Sequence, residues 1–397
     1  MGTLGELNRF DAGPGVRGLI ADRMGGVDMS GIRKMFEMAG KDAINFGIGE
    51  PDFQPPDFVI DAYVKALRDG HNKYGPSAGL PELRSAIANR ERDRWPAVDA
   101  QHVVVTTGST AALYAAMAAF VNPGEEVLCP NPGFVLYGPH TRLVRGVPVF
   151  YPLRPEHGFV PQVADLEALV TRKTKILVIN SPSNPTGAII PKKQVKALVD
   201  FAASHNLVIV SDEAYDSLTY EEPHTSFLGK YENVIYMNTF SKTYAMTGWR
   251  IGYVVARPEF ADAIKKMSYH LAACPPTPTQ HACLAALEGP QDFVAAMKTE
   301  FRARRDMLMK RIREIPGWDC VTPQGAFYAF PRYGLPMEAR DVALLLLRAG
   351  VVTIPGDAFG PAGRGHLRIS YSTSADKIEK GCDIIEKAVR GHLSTLA

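Results

Sequence analysis

Apolar positions recur with two periods along this chain, and the change of period divides it. Up to about residue 94 the spacing is helical. Residues 29–39 set Ile32, Met35, Phe36 and Ala39 on one face behind Ser30 as N-cap, and further helical patterns cover 59–69 and 80–94. Short apolar runs at 103–107, 126–129, 176–180, 207–211, 234–239 and 251–256 then read as buried strands, with helix-length segments such as 109–120 and 192–204 between them. Strands alternating with helices predict an α/β domain, a mostly parallel sheet covered on both faces. Beyond Pro290 come a long charged helix over 291–314, strands near 326–331, 351–354 and 366–372, and helices over 339–349 and 375–390. The expected division is an N-terminal lid or arm, 1–50, packing on a small α+β domain, 291–397, with the large domain at 51–290.

Composition narrows the function classes. A formal charge of +2 without a run of lysine and arginine leaves no electrostatic footprint for nucleic acid. The longest apolar stretch, 111–121, is too short to cross a bilayer. The N-terminal MGTLGELNRFDAG has neither the basic start nor the apolar core of a signal peptide, and Glu6 stands where a myristoylation signal wants Ser or Thr. Five cysteines without CxxC pairing argue against a zinc site and a disulfide framework, so no metal is expected and the thiols read as reduced in a soluble, cytoplasmic protein.

Four segments fall at predicted strand ends, where open parallel sheets bind ligands. In TTGSTAAL, Gly108 permits a tight turn and Ser109 and Thr110 open a helix whose free N–H groups suit an anion, although an ordinary N-cap has the same pattern. In NSPSNPTGA, two prolines and a glycine stiffen a loop that holds Asn184, as a plain prolyl turn also would. VSDEAY ends a very apolar run in Asp212, a carboxylate that is costly there unless paired, with Tyr215 close behind it. In SKTYAMTGWRIG, Lys242 follows Ser241 and precedes Arg250 on a glycine-flanked loop. Lysine condenses with aldehydes, and a serine hydroxyl with a guanidinium suits a phosphate ester, so this combination points to pyridoxal 5'-phosphate. A pyridinium nitrogen is the partner Asp212 needs.

GIGEPDF, KYGPSAGLPELR, NSPSNPTG, SDEAY, SKTYAMTGWRIG, GAFY and HLRISYS follow one another over nearly the whole chain. In this the sequence resembles the class I/II, fold type I, pyridoxal-phosphate-dependent aminotransferases, and in detail the gamma-type aspartate/aromatic enzymes of archaea and bacteria. The resemblance implies Lys242 as the Schiff-base lysine, Asp212 at the pyridine nitrogen, and Asn184 and Tyr215 at the ring's phenolic oxygen. It further implies a phosphate cup from Gly108, Ser109, Thr110, Ser241 and Arg250, and Tyr74 reaching the phosphate in the neighbouring subunit of a homodimer with shared sites. Arg368 would clamp the substrate α-carboxylate beside the Gly49 backbone, and Phe134 would stack on the cofactor. The implied reaction is ping-pong transamination between an L-amino acid (aromatic, aspartate or alanine-like) and a 2-oxo acid. C–S lyases and transaminases with a specialised aldehyde acceptor use much the same contacts.

Two departures bear on the substrate. Phe134 stands where many aspartate-preferring relatives have tryptophan, and it lacks an indole N–H to help hold a carboxylate. HLAACPPTPTQHA, 270–282, contains no arginine, which leaves Arg17, Arg23 or Arg33 of the N-terminal arm to supply charge. A transcription regulator with an aminotransferase-like domain would need a DNA-binding module, and the residues before Ile44 are too few for one.

Overall fold

Seven strands form the central sheet of the computed structural model, which describes residues 19–21, 23–24, 40 and 42–396. The helix expected over 29–39 and the arginines Arg17 and Arg33 lie outside the described residues, and Arg23 is exposed. In chain order the strands are β1 (Ile44–Asn45), β2 (Val103–Thr106), β3 (Glu126–Asn131), β4 (Val147–Pro152), β5 (Thr174–Asn180), β6 (Val208–Asp212), β7 (Val234–Thr239) and β8 (Gly252–Val255), followed by β9 (Tyr328–Ala329), β10 (Val351–Val352), β11 (Ile354–Pro355) and β12 (Leu367–Ser370).

The large sheet runs β2-β8-β7-β6-β5-β3-β4, parallel throughout except for β8, which opposes both its neighbours. Successive residues of each strand feed opposite cores. Val127, Ile176, Val178, Val208, Val210 and Met237 pack on one face with Leu113 and Met117 of the helix Ser109–Phe120, while Leu128, Leu177, Ile179, Ile209 and Tyr236 join the core on the other face. That two-sided burial is why the runs are apolar without alternation. β4 had no such run. It lies at the sheet edge, half exposed, with prolines at both Pro148 and Pro152, which an edge strand tolerates.

The helices Ser109–Phe120, Lys192–Ser204 and Ala339–Ala349 keep the expected bounds, and the last helix runs on to Ala375–Leu396. Two helices fill a stretch with no expected element. Pro258–Ala272 packs on Ser109–Phe120, with the Phe120 and Phe260 rings 4.6 Å apart, and Thr277–Glu288 packs on Asp57–Arg68 and Pro81–Glu91. Among the described residues no helix is long and apolar enough to cross a membrane.

A second, antiparallel sheet β11-β12-β9 lies in the C-terminal part, and β1 pairs in parallel with β10, so Ile44 and Asn45 are tied to that part. The long helix Asp292–Glu314 is bound to Ala375–Leu396 through Arg311, which donates to Glu379 at 2.7 Å and to Asp383 at 2.8 Å.

Candidate active site

The parallel strands β2, β5, β6 and β7 all leave the sheet at one edge, and the reversed β8 enters there, since Gly252 pairs with both Thr106 and Thr239. Lys242, just after β7, and Arg250, just before β8, therefore meet at that edge. They line a cavity of about 210 Å³ together with Gly49, Ser109, Thr110, Phe134, Asn184, Asp212, Tyr215, Ser241 and Arg368.

Thr239 ends β7 and caps the short helix Phe240–Thr243, accepting from the Ser241 N–H at 3.1 Å and lying 2.9 Å from the Ile251 carbonyl, so Lys242 sits on a braced turn. The Lys242 ammonium donates to the Gly49 carbonyl at 2.6 Å. The side chain keeps partial solvent contact through the open cavity. Desolvation lowers its pKa to about 8; the charges of Arg250 and Arg368 push the same way, while Glu50 and Asp212 oppose them.

Asp212 is the last residue of β6 and is buried. One carboxylate oxygen accepts the Tyr137 hydroxyl at 2.8 Å, and the other lies 3.4 Å from the Ala214 N–H. Burial raises its pKa to about 6, against these two donors, and neighbouring Glu213 raises it further.

Arg368, on β12, is 2 % exposed, and its guanidinium donates to the Gly47 carbonyl at 2.5 Å and to the Asn184 side-chain oxygen at 3.2 Å. It lies 4.6 Å over the Tyr328 ring, and its Nε has no partner among the described residues. Asn184 is held in its loop by its own N–H, which donates to Asn180 at 2.8 Å. With its oxygen turned to Arg368, the amide nitrogen of Asn184 is left as the free donor. The Tyr215 and Tyr328 hydroxyls are 2.9 Å apart, and a Cβ on Gly49 would come within 2.9 Å of the Tyr328 hydroxyl, so a larger residue there would have to displace it.

At the other end of the cavity, no side chain caps the helix Ser109–Phe120, which starts from Gly108 at φ +84°. A Cβ on Gly108 would stand 2.7 Å from an Arg250 nitrogen, so the guanidinium lies directly over the helix start. A helix N-terminus beneath an arginine is a dianion site. The donor set thus fits pyridoxal phosphate: a lysine for its aldehyde, a buried carboxylate for its ring nitrogen, and this cradle for its phosphate.

Two expected residues do not line the cavity. Gly108 adjoins it under Arg250, whereas Tyr74 is 91 % exposed on the loop before Pro81–Glu91 and lines a surface groove with Thr107 and Pro276. Sequence reasoning missed Tyr137 and Tyr328, although Tyr137 stands three residues after Phe134 and Tyr328 stands inside GAFY. Their contacts bridge 75 and 113 positions, which no local spacing shows.

This chain is a member of the aminotransferase class I and II family, whose model matches residues 41–385. It is 41% identical over 383 residues to an aspartate aminotransferase of Pyrococcus abyssi, covering 94% of this chain and 98% of that protein. It is 38% identical over 384 residues to aromatic-amino-acid aminotransferase 2 of Thermococcus litoralis, covering 94% and 98%. The solved structure of a single mutant of Thermus thermophilus aspartate aminotransferase superimposes with a TM-score of 0.89 at 36% identity, covering 93% of this chain and 99% of that one. The fold is type I, and the protein is a pyridoxal-phosphate-dependent transaminase.

Proposed function

We propose that this chain transfers the amino group of L-amino acids with neutral side chains, aromatic ones among them, to a 2-oxo acid, and that two copies share their active sites. One observation carries the reading: Lys242, Asp212 and Arg368 converge on a single cavity from β7, β6 and β12. Bound pyridoxal phosphate supplies a carbonyl that condenses with amines and a ring that draws electrons from the substrate α-carbon. Asp212 keeps the proton on the ring nitrogen, and Asn184 and Tyr215 donate to the ring oxygen. Ser109, Thr110, Ser241 and Arg250 would hold the phosphate, and Phe134 would stack on the ring. Arg368 binds the α-carboxylate with its fork, beside the Gly49 backbone. Lys242, in its neutral form, would take the proton from the α-carbon.

The preference for neutral side chains follows from charge. Among the described residues the cations lining this cavity are Lys242, Arg250 and Arg368, each assigned above, and the remaining wall includes Phe134, Tyr328 and Thr247. Among the described residues no further fork lines this cavity for a second substrate carboxylate. Tyr74, exposed on its own chain, supports the shared-site dimer, and five unpaired cysteines support a cytoplasmic setting. The division into 1–50, 51–290 and 291–397 belongs to the same proposal, supported by a large sheet within 103–255 and a second sheet within 328–370.

A half-reaction screen tests the reading. Each amino acid is added to the loaded enzyme without acceptor, and the visible band is followed as it gives way to pyridoxamine phosphate. Phenylalanine and tyrosine should convert it faster than aspartate and glutamate at equal concentration. A clear preference for the dicarboxylates would overturn the neutral-substrate assignment.

A further inference from the structure

Asp212 meets the rest of the protein through two oxygens in unlike surroundings. One accepts the Tyr137 hydroxyl at 2.8 Å, while the nearest donor to the other, the Ala214 N–H, is 3.4 Å away. Tyr137 is 1 % exposed and opens the helix Tyr137–Leu143, and its ring stands edge-on to Phe134 at 5.6 Å. One residue thus touches both the carboxylate at the end of β6 and the aromatic wall of the cavity.

Building on the proposed function, we propose that Tyr137 is a positioning residue for cofactor binding: its hydroxyl keeps Asp212 ionised and leaves the second carboxylate oxygen free for the ring nitrogen. The surrounding charges make this hydroxyl decisive. Glu213 is next to Asp212 in the chain and disfavours its charge, although Glu213 is itself paired with His224 at 2.6 Å. Lys242, from the end of β7, also favours that charge, while the geometry gives Asp212 one short hydrogen bond, from Tyr137 at 2.8 Å against 3.4 Å from Ala214. Tyr215, which faces Asp212, and Tyr151, which faces Tyr137, are phenols that burial holds neutral. Tyr137 is therefore the principal group that opposes desolvation of this carboxylate. A hydrogen bond to a charged group is worth roughly one to two pKa units.

The test is Tyr137→Phe in the full-length chain freed of cofactor, with pyridoxamine phosphate as the probe, since it cannot condense with Lys242. Its dissociation constant is measured from pH 6 to pH 9 for wild type and variant. Without the hydroxyl, Asp212 takes up a proton at higher pH, so the variant should bind about tenfold more weakly near pH 6.5 and within about threefold of wild type at pH 9. In an Asp212→Asn background the same Tyr137→Phe change should leave the pH profile unmoved, and Tyr137→Leu should add a loss that does not depend on pH, because Phe134 loses its neighbour. A Tyr137→Phe defect equal at every pH would make Tyr137 a packing residue and overturn the inference, as would no defect at all. If the wild-type chain itself shows no saturable binding of pyridoxamine phosphate, the proposed function fails first and takes this inference with it.

Discussion

The Lys242 ammonium donates to the backbone carbonyl of Gly49 across 2.6 Å, joining the end of β7 to the loop that follows β1. The bond requires the charged or proton-bearing amine, whereas condensation with an aldehyde requires the free lone pair. Burial brings the pKa of Lys242 down to about 8, so the neutral amine becomes the majority form above that pH. The rate at which the cofactor-free chain captures pyridoxal phosphate should therefore rise with pH through a midpoint near 8. A midpoint near 10.5, the ordinary lysine value, would show that desolvation does not activate this amine.

Asp212 should reveal itself in stability as well as in turnover. Its folded-state pKa is raised from 3.8 to about 6 in the cofactor-free chain. A raised pKa means the folded state binds the proton more tightly, so this contribution to stability is present below pH 3.8 and is lost as pH rises through about 6. Cofactor-free Asp212→Asn should be more stable than wild type at pH 8 by on the order of 2 kcal/mol, with the difference fading near pH 4. Turnover of the loaded variant should fall by at least about a hundredfold, since a neutral amide cannot keep the ring nitrogen protonated. Denaturant melts at the two pH values and steady-state rates check the two halves independently. Activity within a few-fold of wild type would place the partner of the ring nitrogen elsewhere.

Arg368→Lys should raise KM for every amino donor by roughly ten- to a hundredfold, because a point charge replaces a planar fork already aligned by Gly47 and Asn184. Kinetics with phenylalanine, alanine and aspartate decide the matter. If only aspartate suffered, Arg368 would be reading a side chain and the α-carboxylate assignment would be wrong.

The strands of the large sheet and the lining residues just after them could be read from the chain for one physical reason, whereas Gly49, Phe134 and Arg368 were named by the resemblance alone. Two-sided burial makes each strand an unbroken apolar run, and the polar residue that ends the run, Asp212 in β6 or Thr239 in β7, is then conspicuous. β4 escaped because an edge strand needs no such run, and its prolines break the pattern. The helices Pro258–Ala272 and Thr277–Glu288 begin beside prolines, where turn signals mask the onset of helical spacing. Tyr137 and Tyr328 were hidden differently. Each is an aromatic in an apolar stretch, and its role rests on which carboxylate, phenol or guanidinium the fold brings to its ring or hydroxyl.

Tyr74 provides the test of shared sites. Its side chain does not line the cavity of its own chain and is almost fully solvent-exposed. Tyr74→Ala and Lys242→Ala should each be nearly inactive, yet mixing them under subunit exchange should restore about a quarter of wild-type activity, since half the dimers then carry one intact site. Confirmed exchange without recovery, or a sedimentation experiment showing an active monomer, would contradict shared sites.

The claim on which all of this rests is that Lys242 carries the cofactor. The purified protein is reduced with borohydride, digested, and its peptides are sequenced by mass spectrometry. A single pyridoxyl-phosphate adduct is expected on the Lys242 nitrogen, in the peptide containing SKTYAMTGWR, and it should disappear in Lys242→Ala. An adduct on a different lysine, or a protein that binds the cofactor with no reducible linkage, would contradict it.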